Sequence, residues 1–289
     1  MDYKSPNIVA EICCNHQGDM EIAKQMIKVA ADGKATVAKF QKRSNKEFLT
    51  EDQFNAPHPN KMHSFGEPYG AHREFLEFSL EEHLKLKEYC EEINVDYSTS
   101  VWDVTSAKEI SQLNPNLIKV PSACNNHFDM LAILRDEYSG DVHISLGMTT
   151  KDEEKKIINF FNETNSLDRL IIYACTSGYP VPFKQTCLLE ISRLINEYDE
   201  KVKSIGFSGH HLGIAIDVAA YTLGANWIER HFTKDRTWKG TDHAASLEPA
   251  GLSKLTRDLK ASYNSLTYKD NDILDIEAPQ REKLKWKER

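Results

Sequence analysis

Two lysines and two histidines stand at the ends of short apolar runs: Lys39 in TVAKF, Lys119 in LIKV, His210 three residues beyond VKSIGF, and His231 in NWIERHF. A lysine inside such a run is costly to desolvate unless an anion or a carboxylate meets it, so the pair points to an anionic ligand. Histidines on successive runs could share one divalent metal and leave its other positions to water or substrate, which suits Lewis-acid chemistry. Two ordinary hydrogen-bonded histidines would show the same pattern. Other polar residues follow the same or neighbouring runs: Glu11, Gln41, Thr99, Ser122, Ser145, Ser177, Tyr179 and Ser208. Each hydroxyl could cap the helix after its strand, and the free N–H groups at helix starts also bind phosphate. His211 is expected to face away from His210, and His243 lies beside Asp242 in GTDHAAS.

The elements that must carry these residues alternate between strand and helix. Eight short apolar runs, at 8–12, 36–40, 95–99, 117–120, 142–146, 169–174, 202–207 and 226–232, are separated by helical stretches. That count and alternation predict a single-domain (β/α)₈ TIM barrel over 1–268, in which strand-end residues converge on one face. Met20–Ala31 carries one apolar stripe opposite Glu21, Lys24, Gln25 and Lys28, with Gly33 as its stop. Leu212–Leu223 has a single charge, Asp217, and is expected to be a deeply buried helix. The segment 43–72 is long for a βα loop and lacks a period, which fits either a lid or a surface excursion. From 73 an amphipathic helix or pair of short helices is expected, and 269–289 is a charged tail too poor in apolar residues to be a domain.

The chain has 289 residues, 40% hydrophobic and 28% charged, which fits one large core and excludes a disordered or low-complexity chain. Its net charge of −8 argues against nucleic acid as a partner. The first 20 residues hold no apolar stretch long enough for a signal peptide or a membrane span, so no membrane association and a cytoplasmic location are expected. The six cysteines form no CxxC pair, and reduced, mostly buried thiols are the default.

Several segments in order, AEICCNHQGDMEIAKQMI, VAKFQKR, YSTSVWD, IKVPSACNN, ISLGMTT, CTSGYPVPF, GFSGHHLGIA and LGANWIERHFTKDRTWKGTDHAASLEP, resemble the motifs of the sialic acid (nonulosonic acid) synthase family. The resemblance runs from the start to about residue 265. It implies a barrel enzyme, usually a homodimer, that condenses phosphoenolpyruvate with an N-acylmannosamine-type sugar, releases phosphate and uses a divalent metal, Mn²⁺ or Mg²⁺. By position it implies Lys39, Thr99, Lys119, Ser122, Ser145, Ser177 and Ser208 around phosphoenolpyruvate. His210 and His231 would hold the metal, Gln41, Tyr179 and Asp242 the sugar, and Glu11 would touch the sugar and carry a proton beside the metal.

The chain departs from the family pattern in three places. Gly209 stands where members commonly have Asp, and Cys124 where they have an acidic residue; His211 or His16 is the candidate to compensate. Members also carry a small C-terminal domain resembling antifreeze protein, whose arginine reaches the sugar, and this chain ends where that domain would begin. Loose sugar discrimination is therefore expected unless Arg43, His63 or His72 supplies the contact. Three other readings stay open: a 3-deoxy-ulosonate synthase acting on another aldose, a Schiff-base aldolase using Lys39 or Lys119, and a catalytically impaired binding subunit.

Overall fold

A computed structural model describes residues 3–286. Eight parallel strands, β1 (Asn7–Glu11), β2 (Val37–Lys42), β3 (Asp96–Val101), β4 (Leu117–Val120), β5 (Asp141–Ser145), β6 (Leu170–Cys175), β7 (Ser204–Gly209) and β8 (Trp227–His231), pair in sequence order and close β8 onto β1. This is the (β/α)₈ barrel, and each strand overlaps one of the eight apolar runs. Every second side chain points inward. Val9, Val37 and Leu117, with Trp227, plug the bottom of the barrel. Intervening residues such as Ala38, Phe40, Ile118, Ile144, Ile172 and Phe207 join the larger core between barrel and helices. One period above the plug, in the same inward register, stand Glu11, Lys39, Lys119 and Glu229, so the chemistry-bearing side chains share the C-terminal mouth.

The helix Met20–Asp32 begins at Asp19, whose carboxylate accepts from the N–H groups of Glu21 and Ile22, and ends at Gly33. The helix expected from Leu212 starts instead at Ala215 and ends at Thr222, because Gly213 takes a left-handed φ of +74° just before it. Its single charge is buried, with Asp217 Oδ2 2.5 Å from Arg230. The 43–72 segment contains short helices at Asn45–Phe48 and Glu51–Asn55 and a turn at Lys61–His63. Glu47 ties it down by accepting from the N–H groups of Val104 and Thr105, at the start of the next helix of the barrel. Helices Tyr69–Leu76 and Leu80–Glu92 form the expected pair. The last barrel helix, Pro249–Ser265, bonds back to the first through Thr256 Oγ1 and the Gly33 carbonyl, 2.7 Å. Within 269–286 only a short exposed helix, Ala278–Leu284, appears among the described residues. No helix among them is long and apolar enough to cross a membrane.

Candidate active site

The mouth of the barrel holds a cavity of about 440 Å³. Glu11, Lys39, Gln41, Lys119, Ser122, Ser145, Ser177, Tyr179, Ser208, His210, His231 and Asp242 all line it. Thr99 does not join them. Its strand neighbours Tyr97 and Val101 pack on the outer core, and Thr99 shares their parity, so its hydroxyl is buried with no partner among the described residues and Ser100 is the pocket hydroxyl of β3. Neither His16 nor His211 reaches the pocket to compensate for Gly209 or Cys124. His16 stacks on Phe78 and accepts from the Gly18 N–H, while His211 faces Asp217 and Arg230 in the outer layer. A Cβ built on Gly209 would meet the His211 ring at 2.8 Å, so His211 occupies the space beside that glycine.

Two buried lysines and two buried carboxylates form the floor. Lys119 Nζ lies 2.6 Å from Glu229 Oε1, which also accepts from Ser208 Oγ at 2.9 Å. Lys39 touches Glu11, lies 3.5 Å from Glu229 Oε2 and donates to Ser100 Oγ at 2.8 Å. Burial lowers the Lys39 ammonium to about 7, against the pull of Glu229. Burial would raise the Glu229 carboxyl, but Lys119 and Lys39 outweigh it and hold the group ionised.

On one wall the hydroxyls converge around Gly147. Ser122 Oγ accepts from the Gly147 N–H at 3.0 Å, and Ser145 Oγ is buried with no partner among the described residues. A Cβ at position 147 would lie 2.5 Å from Ser177 Oγ and 2.7 Å from Ser122 Oγ, so only glycine lets the two hydroxyls approach. The result is a cradle of hydroxyl and amide donors beside two ammonium groups, which is the donor set an anionic oxygen cluster requires.

The opposite wall carries the histidines. The rings of His210 and His231 are 5.4 Å apart, and Tyr179 covers His210 at 4.4 Å. His210 Nδ1 is 3.1 Å from the Thr176 carbonyl, which fixes the tautomer and leaves Nε2 as a lone-pair donor. Burial, with help from His231, lowers His210 to about 3, and burial likewise lowers His231, so both rings are neutral and able to ligate. His231 Nδ1 is buried and unpartnered among the described residues. Those are the properties a metal ligand needs, so the residues present fit a divalent ion.

Several pocket residues were not singled out by sequence reasoning: Cys13, Ser100, Trp102 and Arg73, together with Arg43, which was named only as a reserve. Glu229, two residues before His231 on the same inward face, is legible in the sequence as a strand-end polar residue but carries no assigned role there. Arg73 comes from a helix outside the strand pattern and left no signal. Arg43 and Arg73 share Glu77, at 3.0 and 3.3 Å, and Arg43 stacks on Trp102 at 4.2 Å. His63 and His72, the other reserves, accept backbone N–H groups of Gly240 and Phe65 and do not line the cavity.

Comparison with known proteins agrees on one group. Residues 26–271 match the model of the NeuB family. The chain is 37% identical over 279 residues to the human N-acetylneuraminate-9-phosphate synthase, covering 96% of this chain and 76% of that one. It is 30% identical to the N,N'-diacetyllegionaminic acid synthase of Campylobacter jejuni, covering 89% and 76%. Among solved structures, the N-acetylneuraminic acid (sialic acid) synthetase of Leptospira borgpetersenii in complex with citrate superposes with a TM-score of 0.81 at 28% identity. That superposition covers 98% of this chain and 94% of that one.

Proposed function

The chain belongs to the NeuB family, an enzyme family of sialic and related acid synthases, and from that premise we propose that it joins phosphoenolpyruvate to the open-chain form of an N-acylmannosamine-type sugar. The product is a nonulosonic acid, and phosphate is released. The observation that carries this reading is the Gly147 cradle beside Lys39 and Lys119, a donor set suited to a small molecule bearing both a carboxylate and a phosphate.

Charge balance supports a metal. Lys39, Lys119, Arg43 and Arg73 face Glu11, Glu229, Glu77 and Asp242, four cations against four carboxylates, so the side chains leave no surplus charge to neutralise a multiply charged anion. A divalent ion held by His210 and His231 supplies that charge and, when bound, polarises the aldehyde of the acceptor. Lys39, Lys119, Ser122, Ser145, Ser177 and Ser208 orient phosphoenolpyruvate so that its C3 faces the aldehyde carbon. Glu11, in contact with Lys39, relays a proton from the Lys39 ammonium to the aldehyde oxygen as the carbon–carbon bond forms. Burial has lowered Lys39 to about 7, which suits it to that donation. Water then adds at C2 and gives its proton back through Glu11 to the neutral Lys39 amine, and the C2–O bond to phosphate breaks as C2 becomes a ketone, the leaving phosphate taking the hydroxyl proton within the hydroxyl cradle. Gln41, Tyr179 and Asp242 hold the sugar hydroxyls. The same reading makes the protein a homodimer working in the cytoplasm on small molecules.

The test is to follow phosphate release and condensation product from phosphoenolpyruvate across a panel of aldoses with a divalent metal present. N-acetylmannosamine and its 6-phosphate belong in the panel, because the human relative is named for a 9-phosphate product. Product from N-acyl sugars supports the proposal. Product only from aldoses without an N-acyl group would transfer the chain to the 3-deoxy-ulosonate reading, and binding of phosphoenolpyruvate without turnover on any sugar would leave a binding subunit.

A further inference from the structure

The loop after β1 brings a thiol to the metal wall. Cys13 has a left-handed φ of +53°, unusual for a residue with a side chain, and its Sγ lies 3.0 Å from Asp242 Oδ2. Asn15 holds the loop there, donating to the Phe232 carbonyl at 2.9 Å and to Ser246 Oγ at 3.1 Å, while Ser246 donates to the Asp242 carbonyl at 2.7 Å. The loops after β1 and β8 are thereby locked face to face. One donor atom each from Cys13, His231 and Asp242 falls within 4.8 Å of the others. Around a tetrahedral ion with bonds of 2.0–2.3 Å, ligand atoms sit roughly 3.5 Å apart, so small side-chain rotations close the set.

A second set of contacts aims the sulfur. Gln41 Nε2 donates to Cys13 Sγ at 2.8 Å, and Arg43, anchored on Glu77, engages the Gln41 carbonyl oxygen and so turns the amide N–H₂ toward the thiol. Donors arranged around a cysteine sulfur in this way orient and stabilise a ligating thiolate.

We propose that Cys13 and Asp242 join the histidines of the proposed function as metal ligands, with a fifth position left for the acceptor aldehyde, and that the sulfur makes the site selective for a borderline transition-metal ion such as Zn²⁺ or Co²⁺ over Mg²⁺. This rests on the reading that the pocket is a metal-assisted synthase site, and it specifies the class of ion. Asp242 Oδ2 turns to the metal, and Oδ1 remains for the sugar. Gln41 is a positioning residue for the sulfur.

The test uses Co²⁺ as a spectroscopic probe on the purified, metal-free chain without substrates. One equivalent of Co²⁺ should produce a sulfur-to-cobalt charge-transfer band in the near ultraviolet, abolished by Cys13→Ser and retained by Cys14→Ser. Zn²⁺ should displace the ion and erase the band, whereas Mg²⁺ in large excess should not. Gln41→Ala should weaken Co²⁺ about 10- to 100-fold, as loss of a contact to a ligand does. Circular dichroism melts of each variant separate ligand loss from unfolding. Stoichiometric binding of Co²⁺ without the band, or a band that survives Cys13→Ser, overturns the proposal. Because the band is read without substrates, its presence alongside no turnover on any sugar would sink the synthase reading and leave the thiolate site standing.

Discussion

Lys119 Nζ and Glu229 Oε1 lie 2.6 Å apart at the floor of the pocket, both buried, and this ion pair must open or share its charge when an anionic substrate arrives. Removing Glu229 leaves Lys119 without its carboxylate, and removing Lys119 leaves Glu229 only the more distant Lys39; breaking a buried pair typically costs about 3–5 kcal/mol. Lys119→Met should therefore lower the melting temperature as well as weaken phosphoenolpyruvate, the latter by roughly ten- to a hundredfold through loss of a charge-assisted contact. The double variant Lys119→Met/Glu229→Gln should recover much of the stability without recovering phosphoenolpyruvate affinity. If affinity returns along with stability, Lys119 is structural and does not bind the substrate.

Phosphoenolpyruvate affinity should fall as pH rises through about 7, because burial has lowered Lys39 to about that value and the anion requires its ammonium form. The slope should approach about tenfold per pH unit above that point. The effect on stability has the opposite sign. With its folded value below the unfolded one, Lys39 penalises folding in acid, and that penalty is relieved as pH rises from about 7 toward the ordinary lysine range. Isothermal titration across pH 6 to about 9 reads the affinity. Lys39→Met should flatten the profile, and an unchanged slope in that variant would exclude Lys39 as its source.

Gly147→Ala should damage phosphoenolpyruvate binding selectively. The added Cβ would sit 2.5 Å from Ser177 Oγ and 2.7 Å from Ser122 Oγ and force the cradle apart. The expected loss is about tenfold or more in phosphoenolpyruvate affinity, the scale of one misplaced hydrogen-bonding group, with the sugar KM nearly unchanged. A comparable rise in both KM values would show that the strain spreads beyond the cradle.

Borohydride added during turnover should trap no substrate carbon on Lys39 or Lys119, since both ammonium groups are engaged by carboxylates. Chelation should stop turnover, and so should His231→Ala. Mass-spectrometric detection of a reduced adduct on either lysine would favour the Schiff-base aldolase instead.

Among the described residues Arg73 has one ion pair, at 3.3 Å to Glu77, whereas Arg43 is held by Glu77, Gln41 and the Trp102 face. Arg73 is thus the freer cation on the Asp242 side of the pocket. Arg73→Met should raise the KM of the acceptor sugar by about tenfold, the scale of one charged hydrogen bond, and leave phosphoenolpyruvate affinity within about twofold. Steady-state kinetics with each substrate varied in turn distinguishes the two, and a selective loss of phosphoenolpyruvate affinity would place Arg73 on the other substrate.

The barrel and most of its mouth were legible in the residues alone, because both follow from local periods. Eight apolar runs at strand length determine eight strands, and the two-residue alternation along each determines which side chains reach the interior, so the placement of Lys39, Lys119, Glu11 and His231 at the mouth follows from the sequence. That rule weakens where a strand is polar on both faces. In DYSTSV it does not distinguish Thr99 from Ser100, and packing of Tyr97 and Val101 against the helices decided that Ser100 faces the pocket. Other features were beyond local reading. Cys13 and Asp242 are separated by 229 positions, and only closure of β8 onto β1, with Asn15 bridging the two loops, brings thiol and carboxylate within bonding distance. Arg73 reaches the mouth from a helix whose own pattern marks it as surface. Periodicity fixes direction along one element, whereas proximity between elements depends on how the whole barrel closes, and that is information no short window of residues contains.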